Sequence, residues 1–271
     1  MREKVVEMTS DSQYGPRDLR LEDLTYQEIE TALHNGFDTV IVPAGSIEQH
    51  GPHLPLGTDS YLAETLSVAV ARLLGGTLVA PVVRPGCSDH HMAFSGTITL
   101  PPRLFMDLLM AYALSLYEHG FRSVVLLTAH GGNFAMMNAA AVEIRREKPR
   151  DTILAVVGSV DDFVRYHHLA TDRFGIDRAV SGFHAALAET SEMLACRPDL
   201  VHMDRVEAGY LGPLPGLSIS AQWLRAVSPH GLLGDARGAS AEIGEAILAS
   251  VAGYMADESR RQIEAARKSA E

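Results

Sequence analysis

Four short apolar runs punctuate the chain: DTVIVPAG (38–45), GTLVAPVV (76–83), SVVLLTA (123–129) and TILAVVGS (152–159). Each is nearly continuous rather than alternating, the pattern of strands buried on both faces, and stretches of helical period separate them. That order predicts an α/β protein, three-layer α/β/α, with a mainly parallel sheet. The helices carry their own punctuation. Thr25 followed by Glu28 predicts a capping-box start for YQEIETALHNG, which Gly36 ends. PPRLFMDLLMAYALSLYEHG opens with proline in its first turn, keeps an apolar stripe and stops at Gly120. Asn133 is expected to cap FAMMNAAAVEIRRE, and SAEIGEAILASVAGYMADESRRQIEAA closes the chain as a long helix. The segment 160–182, rich in charge and aromatics, reads as an excursion over a site or a subunit contact. No repeat, low-complexity tract or linker interrupts the pattern, so residues 1–271 are expected to form a single domain.

Composition narrows the chemistry. No apolar stretch approaches the roughly 20 residues of a membrane span, and the N-terminal MREKVVEMTSDSQYGPRD lacks a secretory h-region, so a cytoplasmic protein without a membrane partner is expected. A formal net charge of −11 and the lack of a basic stripe argue against a nucleic-acid partner. The cluster RREK at 145–148 reads as the solvated end of a helix. Two cysteines, Cys87 and Cys196, lie far apart and outside any CxxC pair, which excludes a disulfide framework and a thiolate zinc site. Any metal must be held by histidine and carboxylate.

Those residue types gather where an open α/β sheet collects its ligands, beyond the carboxyl ends of the strands. After the first strand come Glu48, His50, His53 and Asp59; after the second, Ser88, Asp89, His90 and His91; after the third, His130-Gly131-Gly132-Asn133. FHAALAETSEML adds His184 and Glu189. If residues 46–50 are extended, Glu48 and His50 share a face and Gln49 points the other way. Pro52 and Pro55, with Gly51 and Gly57, then form a rigid turn that returns Asp59 to the same spot at the start of the next helix, where its two oxygens can bridge two ions. The glycines after His130 allow it a close approach. This His-and-carboxylate set suits Zn, Mn or Fe(II). His53 and the remaining histidines read as structural or surface residues. A nucleotide-dependent enzyme is disfavoured, because no GxGxxG follows a strand and no P-loop lysine is present.

GSIEQHGPHLPLGTD, CSDHHMAFSGTITLPP, TAHGGN, HAALAETS and SPHGLLGDARGASAEIGEAIL resemble, in order, the motif blocks of the creatininase family of amidohydrolases. The resemblance implies an α/β/α-layered fold, a centre of one or two divalent ions, hydrolysis of non-peptide or unusual amide C–N bonds, and a homohexamer. It makes Glu48, His50, Asp59 and His130 metal ligands, with Asp59 bridging, and Glu189 is the choice for the remaining ligand. Family activities include creatinine ring opening, deformylation of a formamidopyrimidine, peptide trimming in mycofactocin maturation and opening of oxidised cyclitols. This chain departs from the pattern at Gly132, where creatininase proper has a Glu, and within His184-Ala185-Ala186-Leu187-Ala188-Glu189, where one acidic residue is lost. Creatinine is therefore a doubtful substrate. The expectation is a metal-dependent hydrolase that attacks a small-molecule amide such as a lactam or formamide with metal-activated water. His184 and Glu189 are its catalytic residues, His184 as the acid for the leaving nitrogen, and Ser88, His91 and Asn133 orient the substrate. Opening of a cyclic ketone or lactone, a mycofactocin-type peptidase and a non-catalytic metal-binding homologue are the alternatives.

Overall fold

The computed structural model describes residues 15–213 and 223–269. Four parallel strands, β1 (Thr39–Ala44), β2 (Thr77–Val79), β3 (Ser123–Thr128) and β4 (Ile153–Val156), pair in the order β2-β1-β3-β4. Thr39 of β1 stands opposite Thr77 of β2 and Ser123 of β3, and Ser123 opposite Ile153 of β4, so the strands start nearly level. β2 is shorter than its apolar run because Pro81 has no N–H to donate. The chain still bonds to β1 on either side of it, through Ala80 N to Ile41 O and Val83 N to Pro43 O.

The helices among the described residues are α1 (Tyr26–His34), α2 (Thr58–Leu74), α3 (Pro102–Glu118), α4 (Phe134–Glu147), α5 (Val160–Thr171), α6 (Arg178–Ser181), α7 (Leu187–Cys196), α8 (Trp223–Val227) and α9 (Ala241–Lys268). Thr25 and Glu28 form the expected capping box of α1, and Ser240 caps α9 at Ile243 N. α4 begins after Asn133 as expected, but the Asn133 side chain makes no capping bond. Its amide works elsewhere, as shown below.

Alternation along the strands builds the three layers. Val40, Val42, Val124, Leu126, Leu154 and Val156 pack against α1, α3 and α4 on one face. Ile41, Val125, Leu127 and Ala155 pack against α2, α5, α7 and α9 on the other. The segment 160–182 does not arch over a site. α5 lies in this second layer, with Phe163, Tyr166 and Ala170 packed into its core, because its charged residues sit on one side of an amphipathic helix. No helix among the described residues is long and apolar enough to cross a membrane. The chain steps from β1 outward to β2, then crosses back past β1 to β3 and on to β4, so the crevice between the carboxyl ends of β1 and β3 is the switch point at which such sheets bind ligands.

Candidate metal centre

The loop after β1 reaches that crevice through two close approaches. A Cβ on Gly45 would lie 2.5 Å from Ser60 Cα, so only glycine lets the end of β1 touch the first turn of α2. Ser60 Oγ then donates to Ser46 O at 2.8 Å, and Glu48 N donates to Leu56 O at 2.9 Å, closing the proline-rich turn. Asp59 is thereby delivered in the first turn of α2, where the helix dipole favours a carboxylate. Its two oxygens face different imidazoles: Oδ1 lies 3.4 Å from His50 Nε2 and Oδ2 lies 3.3 Å from His130 Nδ1.

His130 follows β3 on a backbone that admits no side chain at Gly132, where a Cβ would meet Cys87 O at 2.3 Å and His130 Nε2 at 2.5 Å. Asn133 ties three loops at this point. Its side chain accepts from Cys87 N at 3.0 Å and donates to Gly45 O at 2.9 Å and Thr128 Oγ1 at 3.2 Å. Glu189 comes from the first turn of α7, and the residues around it anchor that turn. Thr190 Oγ1 bonds His53 Nε2 at 2.9 Å, Ser191 Oγ accepts from Ser240 N at 3.2 Å, and Glu192 meets His167 Nε2 at 3.2 Å. One short motif is thus tied to the β1 loop, α9 and α5, leaving Glu189 to face the crevice. Ala185, at φ 50°, turns the backbone so that its N–H reaches the Glu189 carboxylate.

Three histidines share one hydrogen-bonding plan. His50 Nδ1 donates to Glu48 O at 3.2 Å, His130 Nε2 to Cys87 O at 3.0 Å, and His184 Nε2 to Gln49 O at 2.8 Å. Each spends its N–H on a backbone carbonyl and turns the other nitrogen toward carboxylates. His50 Nε2 lies 3.8 Å from Glu189 Oε2, and His184 Nδ1 lies 3.7 Å from Glu48 Oε1 and 4.0 Å from Glu189 Oε2. This is how proteins fix the tautomer of a metal-ligating histidine. His91 is wired in reverse. Its Nδ1 accepts from Gln49 Nε2 at 3.1 Å and its Nε2 donates to Glu48 Oε1 at 3.2 Å, so it holds the carboxylate in place.

The charge balance has the same meaning. Burial pushes Glu48 up and raises Glu189 to about 7, against the opposing pull of the nearby imidazoles. Burial alone would lower His50 and His130, but the carboxylates around them hold His50 up at about 10 and His130 at about 9. Asp59 resists burial because His50 and His130 hold its carboxyl well below the usual range. Two buried carboxylates, Glu48 and Asp59, and the partly buried Glu189 thus demand positive charge, which imidazolium protons supply in the absence of a cation. His184 and His91 are pushed well below their ordinary value by burial and neighbouring histidines, and His53 falls to about 4 for the same reasons. His50 Nε2 and Asp59 Oδ2 are buried without a hydrogen-bond partner. Ligand atoms of Glu48, His50 and Asp59, of His50, His184 and Glu189, and of Glu48, His90 and His130 lie within 4.8 Å of one another in each trio. Orphaned atoms, fixed tautomers and an all-N/O donor set fit one or two divalent ions.

The expected ligands Glu48, His50, Asp59, His130 and Glu189 therefore converge, together with His184. Ser88, His91 and Asn133 do not stand free to orient a substrate. All three are buried, and their polar atoms serve the protein: Ser88 Oγ bonds Ser46 Oγ at 2.5 Å, beside Glu48 Oε2, which Ser46 reaches at 3.3 Å. Sequence reasoning missed Gln49, whose backbone and amide connect His184 to His91, and it passed over His90, whose ring stacks 5.9 Å from that of His130. The motif HH beside a strand end was the available signal for His90; nothing marked Gln49.

The sequence model of the family described as creatinine amidohydrolase matches residues 22–258. The chain belongs to the creatininase family. Creatininase-family relatives include the mycofactocin precursor peptide peptidases of Mycolicibacterium smegmatis, 35% identical over 84% of this chain and 87% of theirs, and of Mycobacterium ulcerans, 34% identical over 81% and 83%. Creatinine amidohydrolase of Pseudomonas putida is 29% identical over 89% of this chain and 95% of its own. A manganese creatininase structure superposes with TM-score 0.75 at 28% identity, over 90% of this chain and 98% of that one, and a Zn–Zn creatininase variant superposes equally well. The chain is thus a member of a family of metal-dependent hydrolases; the neighbouring structures are zinc and manganese forms, and its own cluster could hold divalent ions.

Proposed function

We propose that this protein hydrolyses an amide C–N bond and that its substrate is a peptide-like amide rather than creatinine. The observation that carries the reading is the split of Asp59 between His50 and His130, flanked by Glu189 on one side and Glu48 on the other. Glu48, Asp59 and His130 would hold one ion, and His50, Asp59 and Glu189 the second. A divalent metal there supplies an electrophile for the carbonyl and lowers the pKa of water to about 7. His184 Nδ1, left without a proton by the bond from Nε2 to Gln49 O, would take the proton released by the attacking water and pass it to the leaving nitrogen. His91 and the Ser46–Ser88 pair keep Glu48 from rotating as charge changes around it.

Two features favour the peptide-like substrate over creatinine. The position held by Glu in creatininase proper is Gly132 here, and the crowding around it leaves no room for an acidic side chain without moving His130. The relatives above 30% identity are peptidases. Ring opening of a cyclic ketone is the second reading, favoured by a 27% identical 3-dehydro-scyllo-inosose hydrolase from Thermotoga maritima that the match covers over 60% of its length. The test is a mass-spectrometric panel of short peptides, creatinine, a lactam and a cyclitol ketone, incubated with zinc- or manganese-loaded protein. Metal-dependent cleavage of a peptide, with creatinine intact, supports the reading. Turnover of creatinine or of the ketone alone would contradict it.

A further inference from the structure

At the opposite end of the sheet from the metal centre, a cleft of about 760 Å³ opens beneath the amino ends of β1, β3 and β4 and the last turns of α4 and α9. Arg122, Arg145, Lys148, Arg150 and Arg267 line it, against only Asp38 and Asp151. The protein as a whole carries eleven more formal negative than positive charges. Outside the cleft, Arg17, Arg20, Arg103, Arg178, Arg197, Arg237, Arg260 and Arg261 form ion pairs, whereas Arg72, Arg84, Arg146, Arg165, Arg173, Arg205 and Arg225 have none among the described residues and stand dispersed over the surface. None of the four arginines of the cleft has an ion-pair partner among the described residues. Lys148 spends its ammonium on the carbonyls of Pro149 and Thr152.

Helix dipoles explain part of this arrangement. Arg145 lies in the last turn of α4 and Arg267 in that of α9, where a cation complements the carbonyl end. They do not explain Arg122, which precedes β3, or Arg150, which follows α4. A second observation comes from the cleft wall: Ser123 is fully buried there, and its hydroxyl has no hydrogen-bond partner. Burial pushes Lys148 below its ordinary value and Arg145 pushes it further, against a smaller opposing pull from Asp151.

We infer that this cleft binds a small molecule bearing two or more phosphate groups, gripped by Arg122, Arg145, Arg150 and Arg267. Guanidinium forks match phosphate oxygens two by two, which a carboxylate-poor, arginine-rich cleft is built to exploit. Five cations against two carboxylates call for a ligand of about three negative charges, and the volume is that of a small-molecule site rather than a protein interface. The seven residue steps from Ser123 to His130 put the cleft roughly 23 Å from the metal centre, so a ligand here is distinct from the substrate.

The test is calorimetric titration of fructose 1,6-bisphosphate, a weak metal chelator, into the metal-loaded full-length chain at about 0.15 M salt. The expected result is saturation at one site with Kd below about 1 mM. Fructose 6-phosphate, with one phosphate, should bind about tenfold more weakly. Arg122→Ser combined with Arg150→Ser should weaken the bisphosphate at least about tenfold while leaving hydrolase activity unchanged. Arg145→Gln, a single exposed replacement, gives the same reading should the double variant fold poorly. Asp59→Asn should bind the bisphosphate like wild type. Absence of saturation up to about 10 mM, wild-type binding in the arginine variants, or loss of binding in Asp59→Asn would each overturn the assignment.

Discussion

Metal loading of this centre should expel protons, and the count follows from the charges already described. With no cation present, His50 at about 10 and His130 at about 9 are both imidazolium at pH 7, and Glu189 at about 7 is half protonated. A cation can bind only the deprotonated forms. Full loading at pH 7 therefore releases about two and a half protons per chain, a lower bound because ionisation of water in the loaded centre adds to it. Two and a half protons make the apparent loading constant fall about 300-fold for each unit the pH drops near neutrality, about 3.4 kcal/mol at 1.36 kcal/mol per proton and unit. The assay is calorimetric titration of zinc or manganese into chelator-stripped protein, in buffers of different ionisation enthalpy, repeated between about pH 6 and 8. A release below about one proton, or a loading constant indifferent to pH, would refute the claim that the carboxylates hold these imidazoles protonated.

Other expectations concern the scaffold. Gly132→Ala places a methyl 2.3 Å from Cys87 O; it should cost about 1–3 kcal/mol of stability and about 10- to 100-fold in metal affinity, and wild-type values in denaturation and metal titration would argue against the crowding. Thr190→Val removes the partner of His53 Nε2, whose Nδ1 is already unpaired; a loss of about 1–3 kcal/mol is expected in urea unfolding, and a neutral change would show that this bond does not anchor α7. The buried His167–Glu192 pair gives a pH signature. Burial opposes the charge on His167, but Glu192 raises its pKa above the ordinary 6.5. A raised pKa contributes stability that is complete below the unfolded value and fades as pH rises through the folded one. Glu192→Gln should therefore destabilise the protein most in mildly acid solution, by about 3 kcal/mol, and progressively less in alkali. A gap that widens with pH would contradict the sign.

The strands and helices were legible because continuous apolar runs and caps are local signals: Thr25 with Glu28, Gly120 after α3 and Ser240 before α9 all stand where the pattern put them. The convergence of Glu48, His50 and Asp59 was legible too, since a short proline- and glycine-bounded turn leaves few paths back to the strand. Roles that depend on contacts between distant segments were not legible. Asn133 stands in the right position for a helix cap, yet Gly45 and Cys87, brought beside it by the sheet, outcompete its own helix for the amide. His91 looked like a substrate ligand until Gln49, 42 residues earlier, fixed its tautomer toward Glu48. Charge and aromatic content made 160–182 resemble an excursion, but spacing along α5 put Phe163 and Ala170 into the core.

The central claim is that Asp59 joins two halves of one metal centre. It is tested by elemental analysis of the purified protein and of Asp59→Asn, a replacement of nearly equal size, with circular dichroism to check the fold. The account predicts one to two zinc or manganese ions per chain in the wild type and close to none in a folded Asp59→Asn, with amide hydrolysis lost in parallel. Full metal occupancy in the variant, or a wild type that binds none, would contradict it.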